Sequence, residues 1–107
     1  MAYNGKPFFR IPRPMLLDGG IEAKLLSGDI TLVNKDSMFQ ILDADGVDRT
    51  VTLPTSKQGL IFGIKNEGSA NNIIVVDADA GAVVTLAFGE GCLLVCDGTN
   101  WFVAVKA

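Results

Sequence analysis

The chain has 107 residues, of which 49% are hydrophobic and only 20% charged, with a net charge of −3 and no histidine. That length holds one domain with one core, and no 18-residue apolar run is present to span a membrane. The opening MAYNGKPFFRIPRP lacks the apolar centre of a signal peptide.

Residues 1–25 read as an extended N-terminal arm. Pro7, Pro12 and Pro14 fix φ and push their predecessors toward extended backbone, so this stretch cannot be a helix. Between them lie Phe8, Phe9 and Ile11 as apolar anchors, with Lys6, Arg10 and Arg13 as cations. These six are the candidate partner-binding residues. Aromatic content of this kind argues against full disorder, leaving an arm that folds back or one that docks on a neighbour. Residues 1–24 carry four cations against two anions, net +2, and the remainder five against ten, net −5. A basic arm on an acidic body suits one subunit gripping another. Nucleic acid would ask for a basic fold behind the arm, so no nucleic-acid partner is expected, and no membrane.

After the turn Asp18-Gly-Gly20, residues 21–26 (IEAKLL) are compatible with a helical turn or a strand. Propensity favours helix, yet six residues between Gly-Gly and Ser-Gly are too few to hold one alone. From Gly28 onward the pattern is β. Strands are expected at 29–33, 38–42, 50–54, 60–65, 73–76, 83–86, 92–95 and 101–105. Polar Asp, Asn and Gly turns separate them. Residues 39–54 (FQILDADGVDRTVTLP) read as a hairpin, with Phe39 and Ile41 on one face and Gln40 and Leu42 on the other. The acidic turn and Val-Thr-Leu strand return at residues 77–86, too imperfectly for a solenoid repeat. Gly63 leaves room for an aromatic neighbour or marks a bulge. The 73–76 strand is apolar on both faces, and Trp101, Val103 and Val105 share one face, with Trp101 in the core. The expected fold is all-β: residues 26–107 as an antiparallel, jelly-roll-like sandwich of about eight strands. Parallel pairing is not expected, because no helical crossover is long enough.

Chemistry has little to work with. The acids of residues 43–48 miss the spacing of a helix-flanked calcium loop, and tight turns need Asp and Gly in any case. There is no histidine base, no G-x-S-x-G elbow and no phosphate-binding glycine loop. Cys92 and Cys96, four apart on a strand, lie about 13 Å from each other, beyond the reach of a disulfide. They read as reduced, buried hydrophobes, and two thiols without histidine leave zinc short of ligands. Neither an enzyme nor a metal or other cofactor is expected.

FQILDADGVDRTVTLP together with GLIFGIKNEGSANNIIVVDADAGAVVTLAFGEGCLLVCDGTNWFVAV resembles a module of tailed-bacteriophage virion proteins, covering about residues 38–105. Its marks are Asp-x-x-Gly-x-Asp-Arg before Val-Thr-Leu-Pro, an Ile-x-Asn-x-Gly turn, an acidic hairpin and a Cys-Asp-Gly-Thr-x-Trp strand. The resemblance implies a non-enzymatic structural part of the particle, found in small stand-alone proteins and at the ends of tail or fibre proteins. A compact sandwich with a basic, proline-rich arm fits a capsid decoration (cement) protein. It would be a homotrimer on the outer shell with its arms on the major capsid protein. The alternative is a tail or fibre module that binds host-surface glycan.

Overall fold

The computed structural model describes residues 20–107. The strands are β1 (Ile21–Leu25), β2 (Ile30–Thr31), β3 (Phe39–Asp43), β4 (Arg49–Thr52), β5 (Ile61–Asn66), β6 (Ile73–Val76), β7 (Ala82–Leu86), β8 (Gly91–Cys96) and β9 (Trp101–Lys106). They form two sheets, one ordered β1-β3-β5-β8-β9 and the other β2-β4-β6-β7. The all-β sandwich is as expected, and each expected strand is found.

The pairing corrects the antiparallel, jelly-roll-like expectation. β1, β3 and β5 run parallel to one another, as do β2, β4 and β6. From β1 to β6 the chain alternates between sheets, so each parallel crossover is a strand of the opposite sheet. No helix is needed to bridge parallel neighbours when the second layer does it. Residues 39–54 are therefore not a hairpin, since β3 and β4 lie in different sheets. The winding makes three stacked turns, with Ile21, Phe39 and Gly63 aligned in one sheet and Ile30, Val51 and Val75 in the other. Only β6–β7, β5–β8 and β8–β9 are antiparallel.

Two boundaries also move. Residues 21–25 are strand, not helix, and pair with β3, so the sandwich begins by Ile21 rather than at residue 26. Packing on β3 decides what local propensity leaves open. In β9 a bulge opposite Leu93 and Leu94 puts Val103 across from Leu94 but Val105 across from Leu93. The extra residue reverses the side of everything after it, so Val105 leaves the face of Trp101.

Period-two alternation builds the core. Leu42 (β3), Val51 (β4), Phe62 and Ile64 (β5), Ile73 and Val75 (β6), Leu86 (β7) and Leu94 (β8) are all at most 2% exposed. At roughly 1.5–3 kcal/mol for each fully buried large side chain, this layer is the main source of stability. Cys92 and Cys96 are free and buried on the core side of β8, and burial pushes the Cys92 thiol up despite the Ile64 backbone hydrogen bond. Trp101 closes one end of the core beside Phe62, with ring centroids 6.1 Å apart.

The acidic turns are spent on backbone. Asp77 Oδ1 accepts from the N–H of Asp79 and Gly81, Asp43 Oδ1 from Asp45, and Asp48 Oδ1 from Asn72. In the β8–β9 turn Asp97 Oδ1 accepts from Thr99 and Asn100 at 2.9 and 2.8 Å. Those bonds, Asn100 first, hold Asp97 below the ordinary carboxylate range, and the Ala87 N–H does the same for Glu90. A depressed folded pKa adds stability that is present above the unfolded value and lost as pH falls through the folded one. Thermal midpoints should therefore drop below about pH 4. Asp97→Asn keeps an oxygen acceptor in place but cannot titrate, so its midpoint should lose less between pH 7 and 3. Identical pH profiles for the two proteins would refute this account.

Candidate docking face

The six arm residues Lys6, Phe8, Phe9, Arg10, Ile11 and Arg13 lie outside the described residues. What the sandwich itself offers is the outward face of the five-stranded sheet. One register row crosses every strand of it: Ile21, Phe39, Gly63, Leu93 and Val105. On one side of that row run Ala23, Ile41, Lys65 and Gly91, and on the other Ile61, Val95 and Phe102. An apolar depression of about 490 Å³ lies on this face, lined by Phe39, Ile41, Leu93, Val105 and the bare backbone of Gly91.

β1 is built inside out. Its alternation sends Ile21, Ala23 and Leu25 away from the core, with Ile21 63% and Leu25 62% exposed. Glu22 and Lys24 share the core-side face with Gln40 and Leu42, and pair with each other at 3.3 Å. At the far edge, β9 exposes Phe102 and Val105, thanks to the bulge. The outward face of the other sheet is different. There the rows are Thr31, Thr52 and Val76, then Thr50, Ile74 and Thr85. Threonine suits strands and water alike, whereas a contiguous aliphatic face marks an interaction site.

Charge is nearly absent from the apolar face. Lys65 Nζ donates to the Gly89 carbonyl oxygen at 2.5 Å, which ties it down at one margin. Asp43, opposite Leu25, sits at the end of β3 and is engaged in its own turn.

Phe39 shapes the middle of the face. Its ring lies over Gly63 so closely that a Cβ there would collide with two ring carbons. The expected pairing of Gly63 with an aromatic neighbour is what the sheet shows. Gly63→Ala should displace the ring and cost about 1–3 kcal/mol as a local overpacking, read from the urea midpoint. In a Phe39→Ala background most of that cost should vanish, because the clash has lost its partner. Equal losses in both backgrounds would refute the contact.

Sequence reasoning did not single out this face. The alternation in IEAKL was visible, but nothing local says whether an apolar stripe points at its own core or away from it. No protein-family model, curated protein or solved structure matches the chain.

Proposed function

We propose that the protein is a structural component of a tailed-phage virion, a decoration (cement) protein that binds the outside of the head as an oligomer and stabilises it. The observation that carries this reading is the aliphatic face across all five strands of one sheet. Leaving it in water forfeits about 25 cal/mol for each Å², so a chain built this way works as part of an assembly. The motif resemblance supports a virion setting. The basic arm supports a grip on an acidic neighbour, with Lys6, Arg10 and Arg13 as its charges and Phe8, Phe9 and Ile11 as anchors on the major capsid protein. Each aromatic anchor contributes about 1.5–3 kcal/mol when buried. Repetition around a homotrimer multiplies this through effective concentration.

A second reading, a tail or fibre module that holds host glycan, has one observation of its own. Phe88 is 58% exposed between β7 and β8, where a ring can stack on a sugar. Purified heads stripped of the protein separate the two. A decoration protein should rebind them at many copies per head and raise their resistance to heat, and removal of residues 1–14 should abolish binding. Failure to pellet with heads, together with binding to cells that Phe88→Ala removes, would favour the second reading.

A further inference from the structure

We infer that the outward face of the five-stranded sheet is the contact between copies of this chain, each copy burying Ile21, Leu25, Ile61, Leu93, Phe102 and Val105 against the same face of another. Such a same-face contact is two-fold, so it is separate from the homotrimer of the reading above; it concerns the isolated protein and does not depend on the shell.

Area is the first argument. Ile21, Leu25, Ile61, Phe102 and Val105 are 42–63% exposed. For side chains of about 200 Å² that is on the order of 500 Å² of apolar surface per copy. Two copies that cover all of it bury about 1,000 Å² together, the threshold of a specific interface. Charge is the second. The face holds Lys65, already tied to a carbonyl, and Asp43 at its margin, so the same face on another copy meets no like-charge repulsion. The cationic arm is a poorer occupant, because three cations would find one acid there, while Glu22 of β1 faces the other side and pairs with Lys24. Shape is the third. A five-stranded sheet is about 20 Å across, and sheets stack face to face at about 10 Å. The depression between Phe39 and Gly91 accepts projecting side chains such as Phe102 from a facing copy. Same-face contacts are closed, which ends the assembly instead of propagating a fibre.

The test is the mass of the full chain in solution. Sedimentation between about 100 μM and 0.1 μM should show an oligomer that dissociates on dilution. Fluorescence of an anilinonaphthalene sulfonate dye, measured per chain, should rise as the mass falls, because dissociation uncovers the face. Phe102→Glu combined with Val105→Glu should weaken association at least about 100-fold, since it buries unpaired charge. Thr85→Glu on the opposite sheet should leave it unchanged. A monomer at the highest concentration overturns the inference, whether the arm or nothing covers the face. So does an oligomer that survives the double substitution, or one that dissociates with no change in dye signal. Should the double variant fail to fold, mass and dye on the unaltered chain still decide. Loss of head binding with this oligomer intact would count against the shell reading alone.

Discussion

Asn66→Ala is expected to remove a large share of the stability of the fold. Asn66 ends β5 and is fully buried. Its Nδ2 donates to the carbonyl oxygens of Asn71 at 2.8 Å and Leu86 at 2.9 Å, and its Oδ1 accepts from Gly68 N–H at 3.0 Å. Its backbone N–H donates to Glu90, and its carbonyl accepts from Gly89. One side chain thus joins the end of β5, the loop into β6, and the end of β7 in the other sheet. Alanine leaves three backbone groups without partners, each costing about 1–3 kcal/mol where water cannot reach. Asn71 is partly open, so about 3–6 kcal/mol is the expected total, against about 5–15 kcal/mol for a whole domain. Asn66→Asp keeps the acceptor and turns the donor into an anion aimed at two carbonyls. Burial beside carbonyl oxygens raises that carboxyl's folded pKa above its unfolded value. The deficit against the native protein should therefore shrink as pH falls and the acid gains a proton to donate. Urea unfolding followed by Trp101 fluorescence measures both. An Asn66→Ala midpoint within about 1 kcal/mol of the native one would remove this residue from its central place.

How much of this was legible follows from what each signal encodes. Alternation reports which side a residue faces, and there the sequence was a good guide. Gln40 and Leu42 face one way and Phe39 and Ile41 the other, and Phe62 and Ile64 share the core face of β5, whereas the all-apolar β6 is fully buried only at Ile73 and Val75. Alternation carries nothing about neighbours. The pairing of β3 with β1 and β5, and not with β4, depends on the second layer acting as the crossover, a non-local property. Bulges defeat the pattern too, because one extra residue in β9 separates Val105 from Val103 with no glycine or proline to announce it. Asn66 sat in a polar Asn-Glu-Gly turn, and only tertiary structure shows that it is buried while Glu67 is exposed. Gly63 and Trp101 were readable because each implies a steric fact, an absent side chain or an oversized one, that few environments satisfy. The candidate face was the least legible feature. Its stripe on β1 is as regular as any core strand and differs only in pointing outward.

The second large effect is expected at Trp101, where size and polarity can be taken apart. Trp101 opens β9, pairs with Cys96, and is 8% exposed. Its ring packs beside Phe62 at a 47° tilt, and its Nε1 donates to the Pro54 carbonyl oxygen at 3.3 Å. Pro54 follows β4, so the indole spans from one sheet to the loop that leaves the other. Cys96 N–H donates to Leu60 O and Gly59 N–H to Cys96 O, which brings the β4–β5 loop to the same place. Trp101→Phe keeps an aromatic ring on Phe62 and loses the long hydrogen bond, for about 1 kcal/mol plus a small void. Trp101→Ala empties the site and should cost about 3–5 kcal/mol. The Pro54 carbonyl is uncapped in both variants, so the difference between them isolates packing from polarity. Chemical denaturation followed by circular dichroism reads both losses without the lost fluorophore. If Trp101→Phe proved as damaging as Trp101→Ala, the hydrogen bond to Pro54 would be the main tether. If both were mild, the two sheets would be held at this end by β8 and β9 alone, and the indole would be a lid on a core that closes without it.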